Sequence, residues 1–206
     1  MLHYTTIDPR TLQLLKQLQS DPIFCGSRLV GGTALALQLG HRNSVDLDLF
    51  GSIAATSDEI RGTLSAEHQV KTIKESQNIN IYIVDNVKVD IVNYRYGWID
   101  DAVVDGAIVL AGVKDIAAMK VAAIIGRGTK KDFIDLFFLL RHFSLQQILD
   151  LYMQKYPDGS MFIAMKSLTY FEDAESDPMP IMFENVSWEI VKESVRNAVA
   201  NLKYLQ

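Results

Sequence analysis

Residues 29–50 read LVGGTALALQLGHRNSVDLDLF. The segment runs from an apolar pair through Gly31-Gly32-Thr33 to Asp46 and Asp48, which sit between large apolar side chains. Val45–Phe50 is bulky and alternating, which predicts a strand. Successive strand residues face opposite ways, so Asp46 and Asp48 share one face while Leu47 and Leu49 point into a core. Two carboxylates ~7 Å apart on one face repel each other and add little to a fold. A hard divalent cation between them removes the conflict, because Mg²⁺ takes carboxylate oxygens together with substrate phosphates.

Working outward, Arg28–Val30 reads as a short strand that ends at the glycine pair, and Thr33–Leu39 as a helix closed by Gly40. At such a turn glycines let backbone amides approach a ligand, and a helix N-terminus favours an anion. Gly31, Gly32 and the Thr33 hydroxyl are therefore candidate triphosphate contacts. Arg42 is either a phosphate contact or a solvated loop residue. Downstream, VKVDIVNY (87–94) places Asp90 among apolar neighbours, in a hairpin with Ile79–Val84. If that hairpin shares a sheet with residues 45–50, three acids on adjacent strands make a two-metal site for phosphoryl or nucleotidyl transfer.

Residues 9–20 read as a helix from Leu12, Leu14, Leu15 and Leu18, and Ser57–Ala66 as another with Ser57 as its cap. Val70–Ile73 reads as a strand. From Asp115 onward the pattern is helical over 115–126, 131–142, 144–155, 160–171 and 187–203, with DAESDPMP (173–180) as a polar loop. The expected class is α+β: a small mixed sheet with helices over 1–112, then a helical subdomain over 113–206 that completes a cleft.

In the helical half, Lys120 is the one charge within an otherwise apolar run. It is either a snorkelling surface lysine or a buried functional one. In GRGTKKDFIDLFFLL (126–140), Thr129 can cap a helix with Asp132 at its third position. Arg127, Lys130 and Lys131 gather at that helix N-terminus, where positive charge costs ~0.3–1 kcal/mol. This cluster suggests a polyphosphate or nucleic-acid ligand. Asp135, one turn beyond Asp132 among apolar residues, needs a partner, which Lys120 or Lys131 could supply. Tyr94, Tyr96 and Trp98 read as core packing or as a base-stacking surface.

The 206 residues, 49% of them hydrophobic, suffice for one full core or a compact domain with an appended subdomain. A net charge of −5 argues against holding nucleic acid by bulk electrostatics alone. Cys25 is the sole cysteine, which suits a reducing compartment, and the four histidines lack the spacing of a zinc site. The N-terminus shows no cleavable apolar run, and no stretch approaches the ~18 apolar residues of a membrane span. A cytoplasmic protein with no membrane partner is expected.

The glycine pair with Thr33, the spacer and VDLDLF resemble the nucleotidyltransferase superfamily that includes DNA polymerase beta. The closer likeness is to the AbiEii/AbiGii toxin family of nucleotidyltransferase-like proteins. DIAAMKVAAIIGRGTKKDFIDLFFLL (115–140) matches that family's helix lysine and its Lys/Arg-Asp-x-x-Asp-Leu segment, and MPIMFENVSWEIVKESV (179–195) matches more loosely. The resemblance implies a transferase dependent on Mg²⁺ or Mn²⁺ that uses an NTP and acts on a tRNA end or a protein hydroxyl. It also implies a toxin paired with a cognate antitoxin. Asp46, Asp48 and Asp90 would be metal ligands, and Lys120, Asp132 and Asp135 would complete the catalytic set. Gly31, Gly32, Thr33, Arg42, Arg127 and Lys131 would bind nucleotide. A catalytically silent nucleotide-binding or regulatory module on the same fold is the alternative; a metal-dependent hydrolase explains the Gly-Gly-Thr turn less well.

Overall fold

The structure, a computed structural model, describes residues 1–202. The end of the predicted last helix and of the predicted second unit, 203–206, lies outside the described residues. Seven strands form one mixed sheet in the order β3-β4-β5-β2-β1-β7-β6. The strands are β1 (Ser27–Leu29), β2 (Leu47–Gly51), β3 (Val70–Lys74), β4 (Ile79–Val84), β5 (Val87–Asn93), β6 (Val103–Asp105) and β7 (Ile108–Leu110). The alternation read from the sequence is the burial pattern of β2, where Leu47, Leu49 and Gly51 are buried and Asp48 and Phe50 are half-buried. Asp46 sits just before the strand, and Val45, expected to begin it, is exposed.

β2 lies parallel to β5 with Asp48 directly beside Asp90, and antiparallel to β1. The β4–β5 hairpin turns through Asp85 and Asn86, both in the left-handed region that a tight two-residue hairpin turn requires. The β6–β7 hairpin, turning at Gly106 with φ 60°, was not expected from the sequence. Strands of three residues are too short to show a period.

The helices follow their caps. Asp8 accepts from the Arg10 amide to open α1 (Pro9–Ser20). The helix α2 (Gly31–Leu39) ends at Gly40, φ 71°. Thr56, rather than Ser57, caps α3 (Ser57–Glu67) in a reciprocal box with Glu59. The Ser57 hydroxyl instead bonds Asn80 Oδ1 at 2.7 Å. The C-terminal half holds α4 (Val113–Gly126), α5 (Lys130–Leu139), α6 (Leu145–Lys155), α7 (Met161–Leu168), α8 (Glu172–Glu175) and α9 (Trp188–Ala200). The short α8 lies at the start of the segment expected to be loop. No helix among the described residues is long and apolar enough to cross a membrane.

One buried core runs through both halves, from Ile7 and Leu15 through Leu47 and Ile91 to Phe133 and Val195. A buried ion pair ties the helices to the loop after β5. Lys155 Nζ lies 2.6 Å from Asp115 Oδ1, over the rings of Tyr94 and Trp98, and Asp115 also accepts the Ile99 and Asp100 amides. These aromatics are therefore packing residues. Asp115→Ala leaves Lys155 a buried charge without its partner. It should cost about 3–5 kcal/mol of unfolding free energy in urea titrations.

Candidate active site

Asp46, just before β2, and Asp48 within it line a cavity of about 320 Å³ between the sheet and the helical half. From the sheet side, Asp46, Asp48 and Lys88 line it; α4, α5 and their connection add Lys120, Arg127, Thr129, Lys131 and Asp132. Gly32, Thr33, Arg42 and Ser44 close one wall, and Asp177 and Pro178 another. Of the residues the sequence assigned to metal, catalysis or nucleotide binding, Gly31, Asp90 and Asp135 do not line the cavity.

The glycine pair has a role beyond the expected one. Gly31 has φ 69°, and a Cβ there would lie 2.2 Å from Asp48 Oδ2. A Cβ on Gly32 would lie 2.2 Å from Arg42 Nη2. The missing side chains thus make room for the protein's own carboxylate and guanidinium. Thr33 is also a correction. Its hydroxyl is buried and donates to the Asp46 carbonyl, with Ser44 Oγ 2.8 Å away, so it fixes the main chain at Asp46 instead of reaching for a phosphate. Val30 caps α2 with no side-chain hydrogen bond, leaving the first-turn amides of the helix without a capping group.

Arg42 is neither solvated nor aimed at a ligand. It is buried, and Nε and Nη2 grip Asp135 Oδ1 and Oδ2 at 2.7 and 2.8 Å. Asp135 also takes Lys120 Nζ at 2.6 Å and pairs with His41 Nε2 at 2.8 Å. Asp132 takes Lys120 at 3.1 Å, Arg127 Nε at 2.9 Å and the Thr129 hydroxyl at 2.7 Å. Burial would raise both carboxyls. The charges of Arg42 and Lys120 outweigh it and hold Asp135 well below the usual range. Lys120 and Arg127 with Thr129 hold Asp132 down to about 2. Lys120 is 3% exposed and bridges both acids at the cavity wall, so it is not a surface lysine.

The two lysines of the basic run separate. Lys131 is exposed at the cavity, whereas Lys130 turns inward. Lys130 donates to the carbonyls of Glu175 and Asp177, and its amide donates to Asp177 Oδ2 at 2.9 Å. It pins the cavity wall, which relieves the charge expected to oppose its helix dipole.

Asp48 is the group under strain. Burial first, then the neighbouring Asp90, pushes its carboxyl up to about 6, against the opposing charges of Lys88 and Lys120. Asp46 and Asp48 fit a single divalent cation, since Mg²⁺ uses one or two carboxylates and completes its shell with phosphate and water. The three-acid arrangement fits less well. Among the described residues no group of three or more His, Cys, Asp or Glu is placed to hold a metal ion. Both oxygens of Asp90 instead take Lys88 Nζ at 2.6 Å. Lys88 was not singled out in the sequence, although the period of two that put Asp90 on this face puts Lys88 there too.

Comparison with known proteins bears on this arrangement. Residues 13–111 match the family described as "Nucleotidyl transferase AbiEii toxin, Type IV TA system". An uncharacterised protein from Aquifex aeolicus is 36% identical over 179 residues, covering 83% of this chain and 85% of its own. The chain belongs to the AbiEii nucleotidyltransferase toxin family. Two solved structures share its fold. JHP933 from Helicobacter pylori aligns with a TM-score of 0.60 at 21% identity, covering 94% of this chain and 92% of its own. MenT4, a nucleotidyltransferase toxin from Mycobacterium tuberculosis, aligns at 0.62 and 15% identity, covering 94% and 83%. The α+β nucleotidyltransferase fold expected from VDLDLF is the fold observed.

Asp48 generates a pH test. Its folded pKa of about 6 lies above the ordinary ~3.9 of an unfolded aspartate, so the folded chain binds the extra proton. The wild type gains stability from this group as pH falls from about 7 towards 4, and loses that gain as pH rises through 6. Asp48→Asn lacks this dependence. It should melt above the wild type at pH 8 without added metal, with the margin shrinking towards pH 4. Thermal scans at intervals of pH check the slope; a collapse of the variant at every pH would mark Asp48 as structural.

Proposed function

We propose that this chain is a metal-dependent nucleotidyltransferase that moves a nucleoside monophosphate from an NTP to a hydroxyl of RNA, tRNA above all, or of a protein. In this reading it is the toxin of a toxin–antitoxin pair and meets a cognate antitoxin in the cytoplasm. The observation that carries the reading is the make-up of one cavity: two adjacent carboxylates with Lys88, Lys120, Arg127 and Lys131 around the same space. A triphosphate chelating a divalent ion needs both kinds of group. The likeness in fold to MenT4, itself a nucleotidyltransferase toxin, agrees with it.

Asp46 and Asp48 would hold the Mg²⁺ or Mn²⁺, which supplies charge neutralisation to the triphosphate when bound. The remaining work belongs to the chain's own groups. The uncapped first-turn amides of α2 favour an anion, and Arg127 and Lys131 add charge at the mouth. Lys120, held by Asp132 and Asp135, presents an ammonium that needs no reorganisation when negative charge develops. The acceptor hydroxyl attacks the α-phosphorus, pyrophosphate leaves, and positioning does most of the work. Asp132 and Asp135 serve as the anchors of Lys120 and Arg127 in this scheme, and Arg42 as the anchor of Asp135.

The test is transfer of label from each of the four α-³²P NTPs, with Mg²⁺ or Mn²⁺, into total RNA and total protein. The expected result is label in one fraction, with a preferred nucleotide, abolished by EDTA. Asp48→Asn should lower it about a hundredfold or more. Lys120→Ala should lower it at least about tenfold, or about 1.4 kcal/mol, with Lys120→Arg a poor rescue. No transfer from any NTP into either fraction would contradict the proposal.

A further inference from the structure

The register of β2 and β5 sets Asp48 beside Asp90, and the period of two along β5 puts Lys88 on the same face as Asp90. Leu47 is paired with Val89, and Asp46, just before β2, lines the same cavity as Lys88. Three acids alone would favour a second cation on this face. The chain supplies one itself. Lys88 Nζ lies 2.6 Å from both oxygens of Asp90, the residue lines the same cavity as Asp46 and Asp48, and its side chain is 41% exposed. Asp90, 20% exposed, is absent from the lining and sits beneath that ammonium.

We propose that Lys88 is a further nucleotide-contacting residue and Asp90 the positioning residue that seats it, so that the site carries one divalent cation, on Asp46 and Asp48, with the Lys88 ammonium in place of a second. The inference rests on the nucleotidyltransferase reading and assigns charges within that site. A metal on Asp90 would have to displace an ammonium already held by both carboxylate oxygens. A triphosphate entering the cavity meets the same ammonium, which has three donors and can serve the carboxylate and a phosphate oxygen together. A half-exposed lysine stem can move between the two without disturbing the core.

The experiment counts manganese and measures binding without turnover. Electron paramagnetic resonance titration of the full chain with Mn²⁺ and a non-hydrolysable NTP analogue should give one bound ion per chain, for the wild type and for Asp90→Asn alike. Calorimetry with the Mn²⁺–analogue complex should show Lys88→Met binding about tenfold more weakly, the scale of one charged phosphate contact. Lys88→Arg should recover most of that loss, and Asp90→Asn should weaken binding in the same direction but less. Thermal midpoints near the wild type for these half-exposed positions separate the effect from misfolding. Two ions on the wild type with one lost in Asp90→Asn would overturn the inference, as would affinity indifferent to Lys88→Met. In both cases the transferase reading stands. A wild type that binds no nucleotide with Mn²⁺ would overturn both.

Discussion

Asp135 is the constraint on which the site depends. It is fully buried, and it accepts a two-point grip from Arg42 and an ammonium from Lys120, with His41 against the same oxygen as Arg42 Nε. The donors come from two places: the loop between α2 and β2, and α4. An unpaired carboxylate there would cost several kcal/mol, so the donors must arrive together for the fold to close. Their arrival sets the distance between sheet and helices, and the cavity is the space that remains. Gly32 belongs to the same constraint, because any side chain there would meet the Arg42 guanidinium.

This buried layer leaves the cavity electrostatically divided. On the sheet side, burial and then the neighbouring Asp90 push Asp48 towards protonation. On the helical side, Asp132 and Asp135 are ionised and saturated with cations, so they hold Lys120 and Arg127 without competing for a ligand. A chain with net charge −5 thereby gathers Arg42, Lys88, Lys120, Arg127 and Lys131 around one cavity with Asp46 and Asp48. Local arrangement, not overall charge, decides which ligand the pocket attracts.

What the sequence made legible follows from periodicity. Strong alternation placed β2, β4 and β5, and the register sets Asp48 beside Asp90, whereas Asp46 falls just before β2. Helical spacing and caps placed α1, α2 and the C-terminal helices other than α8 within a few residues. The misses at the site share a cause: they depend on partners remote in sequence. Arg42 in a loop carries no periodic signal, and its partner Asp135 lies 93 residues away. Thr33 looks like a ligand contact until the chain folds and the Asp46 carbonyl takes its hydroxyl. Lys130 and Lys131 are adjacent, but a helix turns about 100° per residue, so one faces inward and the other faces the cavity. The β6–β7 hairpin is too short for alternation to announce it.

In the proposed function the space between Asp46–Asp48 and Lys120 is a metal–nucleotide site. Anomalous diffraction from crystals grown with Mn²⁺ and a non-hydrolysable NTP tests it most directly. The account predicts a manganese peak shared by the carboxylates of Asp46 and Asp48, with triphosphate density running towards Lys120 and the first turn of α2. Nucleotide bound elsewhere on the chain, or manganese on acids outside this cavity with Asp46 and Asp48 bare, would contradict it.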